Sequence, residues 1–184
     1  MPGKSKKEST VLLAPHNDDE ALFASYIILR EKPLVVIVYD SFVQGWTNSE
    51  QRRRESLKAM NILGAKVVFW GISDMDLFEK EVRSKLGQIK AGLVYAPSGS
   101  NRHHELLGKL AVEMFDNVRL YTTYEGNNLH VARGTEVKPT KREIALKNKA
   151  LDCYESQLEK NRPHFEAVKG KSEYYEQAKN TGNR

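Results

Sequence analysis

Five short apolar runs, each followed by a stretch of helical periodicity, constrain this chain more than any other feature. Residues 11–14 (Val-Leu-Leu-Ala), 33–39, 66–70, 92–97 and 117–124 read as strands, and 33–39 is so uniformly apolar and β-branched that both of its faces must be covered. Residues 21–29, 49–63, 77–87 and 103–115 read as helices. The second of these would cover the sheet with Leu57, Met60, Ile62 and Leu63 and ends at a capping Gly64. Alternation of this kind over about 120 residues predicts βαβ units, a mostly parallel sheet and a Rossmann-like three-layer α/β sandwich. Beyond Glu125 the pattern changes. Turn signals at 126–128 and 133–134 flank a short segment, 129–132, that suits a sheet edge, and Thr140 is a good cap for a helix over 141–160. Pro163 opens a last helical stretch over 165–179.

Composition narrows the class. The 184 residues fit one domain, 10–184, preceded by a charged arm, 1–9, expected to be disordered. Apolar residues at 40% and charged residues at 29% are ordinary for a soluble protein. No apolar run approaches the roughly 18–20 residues of a membrane span, so no transmembrane segment is expected. The N-terminus lacks the apolar stretch of a signal peptide, which points to a cytoplasmic protein. A lone cysteine, Cys153, excludes an internal disulfide framework and is read as a small buried residue in a helix. The formal charge of +5 is scattered along the chain and not interleaved with aromatics. That favours solvated faces or an anionic small substrate over a specific nucleic-acid partner. Whether identical chains associate stays open.

Chemistry concentrates just past the first strand, in Pro15-His16-Asn17-Asp18-Asp19-Glu20. Ligands of open α/β sheets bind at the carboxyl ends of the strands, and one imidazole with several carboxylates supplies the donors a catalytic zinc site recruits. A second reading stands beside it, in which Asn17, Asp18 or Asp19 merely caps the following helix and His16 is a turn residue. Past the fourth strand, His103 and His104 arrive at the same end of the sheet and offer a third ligand. His130 and His164 fall at no strand end aligned with this site and are read as structural. No Gly-x-Gly-x-x-Gly follows the first strand, which argues against a dinucleotide site.

On these residues the chain resembles the PIG-L/LmbE-like family of zinc-dependent N-deacetylases. The family motif Ala-His-Pro-Asp-Asp-Glu corresponds to Pro15-His16-Asn17-Asp18-Asp19-Glu20, with asparagine in place of proline. The likeness continues through Arg52-Arg-Arg-Glu55, Leu63-Gly-Ala65, Gly71-Ile-Ser-Asp74 and Lys149-Ala-Leu-Asp-Cys-Tyr-Glu-Ser-Gln157. It covers nearly all of the chain after residue 10. A second motif, His-x-Asp-His followed four residues later by glycine, aligns from Gly108, which puts its metal-binding histidine at His104. Asn101 then stands where the family has its first histidine, and His103 where it has aspartate.

The resemblance implies zinc held by His16, Asp19 and His104, with Asp18 as general base. It implies a small-molecule substrate, an N-acetylated amino sugar such as an N-acetylglucosamine conjugate, with Arg52, Asp74 and Asn101 around it. The family's second histidine, credited with stabilising the oxyanion or protonating the leaving amine, is absent, and His103 is the neighbouring substitute. The rival reading is a non-catalytic sugar- or metal-binding protein on the same fold.

Overall fold

Alternation along the first two strands builds two cores. In β1 (Thr10–Ala14) Leu12 and Ala14 face one core while Val11 and Leu13 face the other, and in β2 (Leu34–Asp40) Val35 and Ile37 oppose Val36 and Val38. Residues 9–40 and 48–178 are described in this computed structural model. Residues 1–8 of the expected arm, most of the loop after β2 and the last six residues lie outside that set.

The remaining strands are β3 (Lys66–Ser73), β4 (Leu93–Ser98), β5 (Val118–Thr122), β6 (Thr135–Val137) and β7 (Glu173–Gln177). They join β1 and β2 in one sheet of order β3-β2-β1-β4-β5-β7-β6. The first five run parallel, β7 is antiparallel to β5, and β6 is antiparallel to β7. One face is covered by α1 (Asp19–Phe23), α2 (Ser25–Glu31), α3 (Ser49–Leu63), α6 (Lys141–Leu151) and α7 (Glu155–Val168). The other is covered by α4 (Glu79–Leu86) and α5 (Arg102–Met114). This is the expected three-layer sandwich. Strand order reverses between β1 and β4, and ligands of open sheets bind at such a switch point.

Several elements differ from the sequence expectation. The helix over 21–29 is two helices, because Ala24 leaves helical geometry (φ −136, ψ 16). The buried Glu173 carboxylate accepts from the backbone N–H of Tyr26 at 2.8 Å and of Ile27 at 3.3 Å, satisfying the donors that open α2. The helix over 141–160 breaks after Leu151, and the stretch over 165–179 ends at Val168 and returns as β7. Glu173-Tyr-Tyr-Glu-Gln177 is strand because β5 and β6 flank it, a pairing that five residues cannot announce locally. The edge partner is β6, while Leu129–Ala132 forms no strand. β3 runs past Trp70, since Gly71 takes a left-handed conformation (φ 71) where the register against β2 shifts. Leu57 is half exposed and covers nothing, whereas Met60 and Leu63 are buried as expected. Cys153 is only partly buried, in the turn after α6.

Candidate metal centre

Residues 15–20 leave β1 at the switch point and turn sharply into α1. Asp18 holds φ 150 and ψ −29, a conformation that costs a non-glycine residue about 1–3 kcal/mol. It is held there from every side. Its N–H donates to the His16 carbonyl at 3.1 Å and to Glu20 Oε2 at 3.0 Å, and its carbonyl accepts from Ala21 and Leu22. Asp18 occupies the cap position of α1, but its side chain makes no capping bond, so the helix-cap reading of these carboxylates does not describe them.

From the other side of the switch point comes α5. Gly108 lies against the Pro97 carbonyl of β4, where any Cβ would collide, so the helix packs close to the strand. Asn101 caps α5, its Oδ1 accepting from the His103 N–H at 2.8 Å. His103 and His104 occupy the first turn and both are buried.

The result is a convergence on one oxygen. Asp19 Oδ2 lies 3.1 Å from His16 Nδ1 and 3.2 Å from His104 Nε2, and one donor atom from each of these residues lies within 4.8 Å of the others. His104 Nε2 is buried and, among the described residues, makes no hydrogen bond. Its other nitrogen explains why. The Thr123 hydroxyl donates to the Ser98 carbonyl at 2.7 Å, so toward His104 Nδ1, at 3.0 Å, it accepts. A neutral His104 therefore carries its proton on Nδ1 and leaves a lone pair on Nε2 beside a carboxylate. Asp19 Oδ2 accepts the His16 backbone N–H at 2.9 Å but no bond from this nitrogen, an arrangement that a cation completes. One carboxylate and two imidazoles, with a cleft beside them, match the ligand types of a catalytic zinc site.

The charges are arranged accordingly. Burial works to raise Asp19, yet His104 and His16, where they carry a proton toward it, outweigh burial and hold this carboxyl below the usual carboxylate range, the same preference for positive charge that a cation would meet. Burial pushes Asp18 up to about 6 against the opposing charge of Arg52. Glu20, buried beneath, is raised to about 7 by desolvation, although the Tyr154 hydroxyl donates to its Oε1. Burial likewise lowers His103 to about 4, with the nearby His16 adding to the effect.

Arg52 on α3 is buried and donates to Asp18 Oδ2 at 2.9 Å and to the Asn17 carbonyl. Two distant motif segments meet here as well: Glu55 accepts from the backbone N–H and hydroxyl of Ser156 at 2.9 and 2.7 Å, tying 52–55 to 149–157. A cleft of about 200 Å³ opens over the cluster, lined by His16, Asp18, Asp19 and Arg52 and also by Tyr124, Gln157, Asn161 and His164. That volume, below the roughly 300–1,000 Å³ of drug-sized pockets, suits a single small group.

Of the residues singled out in the sequence, the structure gathers His16, Asp18, Asp19 and Arg52 at this cleft, with His104 buried behind them against Asp19. His104, Asp74, Asn101 and His103 are not among its lining residues. Asp74 sits in the turn after β3, where its carbonyl faces Arg102, and His103 has its ring nitrogens on His16 and on the Asp76 carbonyl. His164, read from sequence as structural, lines the cleft and meets the Tyr124 ring edge-on at 6.2 Å between centroids. No local pattern reveals it, because only the fold-back of α7 brings it there. Thr123 and Tyr124 were within reach, since both close a predicted strand.

No family model and no curated protein matches the chain. Solved structures do. The conserved protein TT1542 from Thermus thermophilus superimposes with a TM-score of 0.70 at 22% identity, over 96% of this chain and 97% of that one. The 4-carboxy-2-hydroxymuconate hydratase GalB from Pseudomonas putida does so with 0.72 at 15% identity, over 96% and 98%. The zinc-inhibited form of the teicoplanin deacetylase Orf2 gives 0.68 at 14% identity, over 94% and 100%. These likenesses establish a shared α/β fold from end to end. A hydratase and a deacetylase share it, so the fold leaves the reaction to the site.

Proposed function

We propose that this chain is a zinc-dependent N-deacetylase of the PIG-L/LmbE type, acting on an N-acetylated amino sugar or a conjugate of one. The observation that carries the reading is the buried Nε2 of His104, 3.2 Å from Asp19 Oδ2 and without a hydrogen bond among the described residues. Fold neighbours that include teicoplanin deacetylases support it, as does the match of residues 15–20 to the family motif.

His16, Asp19 and His104 would hold the metal. Bound there, it supplies Lewis acidity, polarising an acyl carbonyl and making water acidic enough to attack near pH 7. The protein's own groups do the rest. Asp18 borders both the cluster and the cleft, and Arg52 fixes its carboxylate. Asp18 takes a proton from the attacking water as the new C–O bond forms. That proton is what the departing amine requires when the C–N bond breaks, and Asp18 can return it from the same position. The products are acetate and a free amine. Tyr124, Gln157 and His164, which also line the cleft, offer hydroxyl, amide and imidazole groups to a sugar's hydroxyls. Arg52, buried and committed to Asp18, acts on substrate through that carboxylate.

The test measures zinc per chain and acetate released from N-acetylglucosamine conjugates. We expect about one zinc per chain, loss of zinc in a folded His104→Ala protein, and retained zinc in Asp18→Asn with a rate lower by about 10²- to 10⁴-fold. Zinc binding without acetate release on any such conjugate would return the chain to the binding-protein reading. Loss of zinc in Asp18→Asn would mean that the two aspartates are assigned the wrong way round.

A further inference from the structure

We infer that His103 is a positioning residue for the metal centre: it locks the His16 ring in the tautomer that presents Nδ1 as a lone pair toward Asp19, and so sets metal affinity without touching substrate. The inference rests on the metal-binding reading above. It also gives His103 a role other than the proton donor expected from sequence.

The argument is one of hydrogen-bond direction. His103 Nε2 lies 3.3 Å from the Asp76 carbonyl, which can only accept, so Nε2 carries the proton. Nδ1 of a neutral His103 is then an acceptor. It lies 2.9 Å from His16 Nε2, which must donate. A neutral His16 therefore has no proton on Nδ1, the nitrogen 3.1 Å from Asp19 Oδ2. The chain runs from a backbone carbonyl through one imidazole to a second, and it ends in a lone pair at the site. The Ser98 carbonyl, Thr123 hydroxyl and His104 ring run with the same polarity to the same oxygen. Metal-ligating histidines commonly have the second nitrogen fixed by an acceptor, and here that acceptor is another imidazole.

The lock is itself held rigidly. The His103 ring stacks on Tyr39 at 4.2 Å between centroids with 30° between planes. The Tyr39 hydroxyl donates to the Leu77 carbonyl at 2.7 Å, and Arg102 donates to the Met75 carbonyl at 3.0 Å. Neighbouring carbonyls of the turn after β3 are thus fastened to β2 and to the start of α5 on both sides of Asp76. That turn includes Asp74, whose backbone takes part where the sequence pointed to its carboxylate.

The experiment uses the full chain. His103→Phe keeps an aromatic ring against Tyr39 but removes the acceptor, and zinc affinity measured by competition with a chelator should fall by about 10- to 100-fold. His103→Asn restores an acceptor near the Nδ1 position and should recover most of that loss, which a purely space-filling role would not allow. Long-range ¹H–¹⁵N correlation of the metal-free wild type should find His16 protonated on Nε2 only. Unchanged zinc affinity in a folded His103→Phe protein would overturn the inference. So would a His16 proton on Nδ1, a result that depends on no variant. A wild type that binds no zinc would instead sink the metal reading, and the tautomer would still decide the role of His103.

Discussion

Two buried polar clusters meet α1, one at its start through Asp19 and one near its end through the Leu22 carbonyl, and they differ in whether the fold pairs their charges. Lys147 and Glu173 pair at 2.8 Å with side chains 1% and 2% exposed. Lys147 also donates to the Leu22 carbonyl at 2.8 Å and sits 4.8 Å from the centre of the Tyr26 ring, while the other Glu173 oxygen takes two backbone N–H groups of α2. The adjoining void, about 10 Å³, admits no more than a single water. The His16–Asp19–His104 cluster is as buried at its centre, yet it aims lone pairs at a carboxylate and opens onto a cleft. The first cluster joins α2, α6 and β7, and its two charges are paired by the fold, although the Tyr26 hydroxyl beside them makes no hydrogen bond among the described residues. The second is left for something the fold does not supply. Burial alone does not mark a functional charge, but a buried unmatched nitrogen beside a carboxylate and a cleft does.

The largest effect expected from breaking this contrast is on stability. Lys147→Ala leaves Glu173 charged and unpaired, and should cost about 3–5 kcal/mol of unfolding free energy by denaturant titration. Because the cluster lies outside the metal centre, that cost should be the same with and without zinc. A zinc-dependent difference would show the two clusters to be one network.

Zinc should act on the other cluster alone. At a free concentration a hundred times its Kd, it should add about 2.7 kcal/mol to the unfolding free energy of the wild type, and nothing to His104→Ala. Thermal unfolding of both proteins with and without the metal measures this, and equal stabilisation of the two would place the ion elsewhere.

The smallest effect comes from an ion pair nearer the surface that repeats the saturated pattern. Glu143 accepts from Arg30 Nε at 2.8 Å and from a second guanidinium nitrogen at 2.9 Å, and it closes a capping box with Thr140. The Arg30 hydrogen bonds hold its carboxyl at about 2, below the ordinary 4.5. A depressed carboxylate stabilises the fold fully above its unfolded pKa and ceases to do so as pH falls through its folded one. Glu143→Gln should therefore cost about 0.5–1 kcal/mol at pH 7, and the difference from wild type should shrink between pH 4.5 and 2. A difference that persists at pH 2 would assign the loss to packing.

Much of this architecture was legible in the chain. The runs at 11–14 and 33–39 alternate between two cores as apolar strands covered on both faces must, and 49–63 is a helix to the residue, capped by Gly64 as its neighbours required. The metal-ligand candidates were legible because each stands at a strand end. Most of what failed has its cause far along the chain. Ala24 breaks a helix on account of Glu173, residues 173–177 become strand on account of β5 and β6, and His164 reaches the cleft on account of the return of α7.

By itself, then, the sequence determined the layers, the parallel half of the sheet and which side chains carry donors, because periodicity and residue type are local properties. Only the tertiary structure decided which lone pair faces which oxygen. His103 and His104 are adjacent and chemically identical, yet His104 sets Nε2 beside Asp19 with Thr123 on its other nitrogen, while His103 meets Tyr39, Asp76 and His16. Direction along a helix surface separates neighbours by a large angle, and the partners each one meets come from other strands.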